Sequence, residues 1–420
     1  MKPLSFMLIA GDPSGDLLAA ELVAALRAKV VARTIHNSAD VQPLQTALAP
    51  KFFGAGGPKM AAAGVEQVFD LTQHSVIGFA EVLKNLGKFK RLFKQLLRVA
   101  LERQPDVIIG VDYGGFNLRF AKAIRAEARR RRKLFGNWNP KIVQFVSPQV
   151  WASRASRAFT LAENHDLLLS IFPFEKAWYA QRVPGLRVEF VGHPMVGRNL
   201  KSEIRNPKSE NRNSKSEIPN VVLLPGSRRD EVRRHLPLLV EAARMIQATV
   251  RTRFLMVLPN HELAAEAAGV AQVNVFRELS EAEFDLEKHP GIRCEVGNLS
   301  EVLAKADLAI TKSGTVTMEC ALHGVPAVVF YKTSWPTYFI GKQIVTVKYL
   351  AMPNLIADEA IYPEFVQQMA TPENIARAAL ELLRDSNRRA EVQGKLARVI
   401  ESLGAPGAPE RAAEAILSLV

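Results

Sequence analysis

Short apolar runs separated by stretches with helical spacing recur along this chain, and that alternation constrains its fold more than any other feature. LSFMLIA (residues 4–10) leads through a Gly/Asp/Ser turn into LLAAELVAALRAKV, whose apolar residues fall at helical intervals. DVIIGVD (106–112) is rich in β-branched residues, is entered through Pro105 and is followed by YGGFN and another helical stretch. KIVQFV (141–146), DLLLSIF (166–172) and VEFVG (188–192) continue the series. Strands that alternate with helices predict parallel βαβ units, because a parallel strand is reached only by a long crossover.

The pattern then stops and restarts. KSEIRNPKSENRNSKSEIPN (201–220) consists of three imperfect heptads of mostly polar residues, with Ile204 and Ile218 the only apolar ones besides proline. Pro207 and Pro219 interrupt it and its charges alternate in sign, which predicts a solvated linker and not a coiled coil. Beyond it, NVVLLPGSR (220–228), RFLMVLP (253–259), ADLAITKSGTVTMECALHG (306–324) and VPAVVFY (325–331) repeat the strand, turn and helix order. Helical spacing dominates from Pro372 onward. The expected architecture is two α/β domains, residues 1–200 and 221–420, joined by the 201–220 tract. Whether the last helix crosses back to the first domain is open, as is the oligomeric state, a homodimer included. At 420 residues the chain exceeds what one core ordinarily fills.

No run of 18 apolar residues occurs, so no membrane-spanning helix is expected, and the first apolar run reads as a strand and not as a signal peptide. Cys294 and Cys320 are too few for a disulfide framework and lack metal-ligand spacing. Lys and Arg number 55 against 42 Asp and Glu, a net charge of +13. That excess suits nucleic acid, anionic lipid headgroups or a phosphorylated substrate.

In open parallel sheets, ligands bind beyond the carboxyl ends of the strands, so the turns there carry the chemistry. Ser313, Gly314 and Thr315 lie where a strand hands over to a helix, a place for an anion, with the Glu319 carboxylate one turn further on. An ordinary helix cap reads the same way. Gly226, Ser227 and Arg228 repeat the arrangement with an added guanidinium able to pair with phosphate oxygens. Two such turns in one domain suggest a diphosphate. Neither GxxxxGK[ST] nor GxGxxG is present, since FGAGGPKMAAAG (53–64) has the wrong spacing. Asp112 ends its strand beside Gly114 and Gly115, placed either as a general base or as a cap for the next helix. Asp12, Ser14 and Asp16 in GDPSGD pose the same choice.

KNLGKFKRLFKQLLRVALERQ (84–104) is basic and amphipathic. Phe89, Leu92, Phe93, Leu96 and Leu97 interleave with Lys88, Lys90, Arg91, Lys94 and Arg98. It fits an anionic membrane surface or, equally, a core-facing helix with a solvated side. RAEARRRRK (125–133) is ambiguous in the same way.

Taken in order, AGDPSGD, FGAGGPKMAAAG, SVIGFAEVL, PDVIIGVDYGGFN, VSPQVWASR, FPFEKAWY, VGHP, LLPGSR, SGTVTMECALHGVPAVV and YLAMPNLIA span nearly the whole chain. The chain resembles the lipid-A-disaccharide synthases, glycosyltransferases of the GT-B type. The resemblance implies two Rossmann-like, doubly wound parallel-sheet domains facing a central cleft. The first would bind the acceptor and face the membrane; the second would bind the UDP-sugar donor. It implies inverting transfer of 2,3-diacylglucosamine from its UDP derivative to the 6-hydroxyl of 2,3-diacylglucosamine 1-phosphate.

On that footing Asp112 is the base, and Ser14, Asp16, Asn117 and Ser147 lie on the acceptor side. Gly226, Ser227, Arg228, Ser313, Gly314, Thr315, Glu319 and Asn354 face the nucleotide. Phe89, Phe93, Lys90, Arg91 and Lys94 face the membrane. The sequence departs from the family in having Asp12 and Pro13 where a Glu is usual, and Gly114-Gly115 where a Pro is common. No metal or other cofactor is implied, and no nucleic acid. The implied location is the cytoplasm, attached peripherally to the inner face of the cytoplasmic membrane. The alternatives are a peptidoglycan glucosaminyltransferase, a UDP-sugar epimerase, or a non-enzymatic lipid-binding protein on a degenerate GT-B scaffold; the presence of Asp112, Arg228 and Glu319 weighs against the last.

Overall fold

The computed structural model describes residues 3–36, 49–74, 86–132, 137–197, 218–271 and 291–420. The polar tract through residue 217 and the motif SVIGFAEVL lie outside the described residues. The chain forms two compact units, Met1–Gly197 with Leu403–Val420, and Arg198–Ser402.

In the first unit seven strands form one sheet: β1 (Ser5–Ala10), β2 (Lys51–Gly56), β3 (Glu66–Asp70), β4 (Val107–Val111), β5 (Lys141–Phe145), β6 (Leu167–Ser170) and β7 (Val188–Phe190). Their spatial order is β3-β2-β1-β4-β5-β6-β7 and every pairing is parallel. Helices cover both faces, so Phe6, Met7, Leu8 and Ile9 are all buried and β1 reads as a continuous apolar run without alternation. The glycines of β2 hid that strand from the sequence pattern. Gly54 pairs with Leu8, and a Cβ at its φ of +155° would overlap the Leu8 carbonyl.

The last segment belongs to this unit, so the second unit ends at Ser402 and not at residue 420. The Ala408–Leu417 helix buries Ala412, Ala413 and Ile416 and packs against the Pro13–His36 helix. Arg33 Nη1 donates to Leu417 O (2.9 Å), and His193 N donates to Leu403 O (2.9 Å). Arg411 Nε donates to Val191 O at 2.8 Å.

The Leu86–Arg103 helix buries Leu92, Leu96 and Ala100 in the core of the first unit. Phe93, expected at a membrane, instead packs edge-on against Phe116 (5.4 Å between centroids) and Phe120 (5.6 Å). Phe89 is half-buried, while Lys90, Arg91 and Lys94 are exposed. The apolar stripe of this helix is thus chiefly its core face.

The second unit holds β8 (Asn220–Leu224), β9 (Arg253–Leu258), β10 (Ile292–Val296), β11 (Leu308–Lys312), β12 (Ala327–Tyr331) and β13 (Glu364–Val366). The order is β10-β9-β8-β11-β12-β13, again all parallel. β10 and β13 are edge strands, and their polar residues and shortness gave no strand signal in the sequence.

Candidate functional site

Each sheet reverses its winding direction at one point, between β1 and β4 in the first unit and between β8 and β11 in the second. Crossovers run away from these strands in opposite directions, which leaves room beyond their carboxyl ends for a ligand. The turns singled out in the sequence sit at these two points.

In the first unit Asp12 follows β1 and Asp112 follows β4. Asp112 (φ 48°) and Tyr113 (φ 44°) are consecutive left-handed residues, a conformation that side chains adopt only when surrounding contacts hold it. Those contacts are present. Asp112 N donates to Phe145 O (2.9 Å), and its carbonyl accepts from Asn117 Nδ2 and Gln144 Nε2, both at 2.8 Å. Gly11 leaves space for the Tyr113 ring, which a Cβ there would overlap. Burial, with the nearby Asp12 carboxylate second, raises the Asp112 pKa to about 6; a backbone N–H from Tyr113 opposes them. The result is a carboxylate poised near neutrality at a sheet's switch point, which suits a general base.

The other acceptor-side candidates divide. Ser14 is exposed at the turn. Asp16 is buried and accepts from Gly57 N (2.8 Å), Lys59 N (2.9 Å) and Met60 N (3.0 Å), capping the Pro58–Ala62 helix. Asn117 acts on the Asp112 backbone through the bond just described. Ser147 is buried, with its Oγ 3.0 Å from Tyr179 Oη. It belongs to a network that also holds Glu175, which accepts from Trp151 Nε1 at 2.9 Å and from Phe172 N at 3.3 Å. Burial pushes the Glu175 carboxyl up to about 7, against these hydrogen bonds. In the first unit, Gln144 and Glu175 are the residues sequence reasoning missed, as it missed Glu231 in the second. Gln144 interrupts the apolar run KIVQFV, which was a usable signal; Glu175 lies in FPFEKAWY like any helical glutamate.

In the second unit the PGSR turn follows β8 and the KSGT turn follows β11. Glu231, on the first turn of the Arg229–Gln247 helix, accepts from Ser227 N (3.0 Å) and pairs with Lys312 Nζ (3.2 Å) at the tip of β11. Gly226 (φ 130°) must be glycine here, since a Cβ would overlap the Glu231 carboxylate. The Arg228 guanidinium is more than half exposed and reaches Glu231 at 3.9 Å. Ser313 Oγ donates to Leu350 O (2.8 Å), Gly314 has φ 148°, and Thr315 is exposed at the start of the Val316–Leu322 helix. Burial raises the Glu319 pKa.

Asn354 differs from the nucleotide-facing role expected of it. It is fully buried and makes four hydrogen bonds, to Ile361 N, Tyr362 N, Tyr362 O and Glu364 Oε1, and so braces the Met352–Ala357 helix. Among the described residues no group of three His, Cys, Asp or Glu side chains is placed to hold a metal. No helix among them is long and apolar enough to cross a membrane.

A family model described as Lipid-A-disaccharide synthetase matches residues 6–418. The chain belongs to the lipid-A-disaccharide synthase family. A lipid-A-disaccharide synthase of Myxococcus xanthus is 35% identical over 419 residues, covering 100% of this chain and 98% of its own length. One from Nitrosococcus oceani is 34% identical over 415 residues, covering 98% and 95%. The glycotransferase of kitacinnamycin shares the fold, with a TM-score of 0.59 at 17% identity over 100% of this chain and 99% of its own. The two sheets are accordingly those of a GT-B glycosyltransferase, and the family places its chemistry on a UDP-sugar.

Proposed function

We infer that this chain transfers 2,3-diacylglucosamine from UDP-2,3-diacylglucosamine to the 6-hydroxyl of 2,3-diacylglucosamine 1-phosphate. The products are a β-1,6-linked disaccharide 1-phosphate and UDP. The observation that carries the reading is the strained, hydrogen-bonded turn that presents Asp112 with a carboxyl titrating at about 6.

In an inverting displacement the acceptor O6 attacks the anomeric carbon from the side opposite the diphosphate. A C–O bond forms as the bond to UDP breaks, and the O6 proton leaves to a base. Asp112, ionised above pH 6, is that base. The departing diphosphate gains charge, and the exposed Arg228 guanidinium on the Gly226–Ser227 turn offers bidentate pairing to it. Ser313, Gly314 and Thr315 line the neighbouring turn, and Glu319 behind it is the candidate partner for ribose hydroxyls. Both substrates carry acyl chains, so the enzyme works at a lipid surface, which we place at the cytoplasmic face of the inner membrane. The exposed Lys90, Arg91 and Lys94 support attachment to anionic headgroups. Family membership favours this reading over the peptidoglycan and epimerase alternatives.

Purified protein incubated with both acylated precursors in detergent should release UDP and form the disaccharide. Folded protein that yields neither would overturn the assignment.

A further inference from the structure

Seven large apolar side chains stand exposed among the described residues, and four of them, Tyr331, Trp335, Phe339 and Val345, fall between residues 331 and 345. Trp335 is 53% exposed and Phe339 59%. The Trp335, Tyr338 and Phe339 rings lie against one another, with centroids 5.8 to 6.0 Å apart. A fifth exposed side chain, Met369, sits on the turn that Gln367 ties to Thr333 through two hydrogen bonds. Isolated surface hydrophobes need no explanation, but a contiguous aromatic patch does.

Its charge says what covers it. The stretch YKTSWPTYFIGKQIVTVKYL (331–350) contains Lys332, Lys342 and Lys348 and no Asp or Glu. Lys342 and Lys348 are exposed, and Lys348 Nζ lies 4.8 Å from the Tyr349 ring centroid. Aromatic rings with a polar edge settle at the headgroup level of a bilayer, and flanking lysines pair with anionic phosphates there. A second copy of the chain fits less well. A ten-residue helix is about 15 Å long, too short to supply by itself the roughly 800 Å² per partner of a stable interface.

We propose that the Trp335–Ile344 helix of the second unit is a membrane-contacting element, its aromatic face entering the headgroup region of an anionic lipid surface. It is separate from the basic Leu86–Arg103 helix, which belongs to the first unit. The inference rests on the reading of acylated substrates, but its test contains no sugar, so the two fail separately.

The full chain is mixed with vesicles of phosphatidylethanolamine and phosphatidylglycerol, or of phosphatidylcholine alone, and binding is followed by co-sedimentation. Wild type should bind the anionic vesicles, and W335S/F339S should bind them at least about tenfold more weakly, with an unchanged thermal melt. Trp335→Phe should bind like wild type yet lose most of the tryptophan quenching by headgroup-proximal nitroxide lipids. Equal vesicle affinity of W335S/F339S and wild type would overturn the proposal, as would quenching unchanged in Trp335→Phe. A wild-type dimer that W335S/F339S converts to monomer, with vesicle binding intact, would assign the face to a second copy instead.

Discussion

Lys312 Nζ lies 3.2 Å from Glu231 Oε1, and through that pair the tip of β11 is tied to the first turn of the helix that follows β8. Both side chains are about 20% exposed. The same carboxylate holds Ser227 N, so one glutamate sets the spacing of the two turns proposed to hold the donor diphosphate.

Glu231→Ala should therefore loosen both turns together. Partial burial makes removal of one partner costlier than at an open surface, and a loss of about 1–3 kcal/mol is expected. The KM for the UDP-sugar should rise about tenfold, matching a loss of about 1.4 kcal/mol in binding, with kcat much less affected. Denaturant titration and steady-state kinetics check the two effects.

The pH dependence follows from Asp112. Its carboxyl titrates at about 6, so the basic form is lost as pH falls through that value. The rate should rise with pH up to about 6 and level off above it. Asp112→Asn should lower kcat by about 10²–10⁴-fold on the plateau above pH 6, and by progressively less as wild type protonates below it, while leaving UDP affinity nearly unchanged. Asp12→Asn removes a neighbouring negative charge and should move the rise to lower pH. A profile that keeps its midpoint in Asp12→Asn would place the titrating group elsewhere.

Much of this architecture was legible in the sequence because buried parallel strands announce themselves. LSFMLIA, DVIIGVD and NVVLLP are apolar on both faces, and a turn of small or charged residues ends each one. β2 escaped because its glycines serve close approach to β1, a requirement set by a neighbour distant in sequence. The same limit applies to the sites. Asp112 and Arg228 stand at strand ends, where local order exposes them. Glu231 and Glu175 matter through partners 81 and 24 residues away, which no local pattern reveals. Asn354 shows the converse: its motif suggested a ligand, yet both polar atoms of its side chain are engaged within its own unit.

The Leu86–Arg103 helix yields a separable pair of outcomes. Phe93 packs on Phe116 and Phe120, so Phe93→Ser should destabilise the protein by about 2–3 kcal/mol through lost burial. Replacing Lys90, Arg91 and Lys94 with Gln should change stability by less than about 0.5 kcal/mol. The same triple variant should weaken binding to anionic vesicles by about 1 kcal/mol per charge removed. Urea unfolding reads the first effect and vesicle co-sedimentation the second.

Glu175 offers a stability test independent of catalysis. Its folded-state pKa of about 7 lies above the ordinary glutamate value of 4.5, because burial disfavours the charged form. The folded chain therefore binds more protons than the unfolded chain between those values, and stability falls as pH rises through the window. The loss is on the order of 3 kcal/mol from pH 4.5 to above 7. Glu175→Gln keeps an oxygen for Trp151 Nε1 and cannot ionise, so its stability should lack that slope and exceed that of wild type at pH 8. Glu175→Ala removes a buried side chain together with its hydrogen bond from Trp151 Nε1, and should lose about 2–4 kcal/mol at pH 5. Urea midpoints at pH 5 and pH 8 distinguish the three proteins; parallel slopes for wild type and Glu175→Gln would mean that Glu175 is ionised at both.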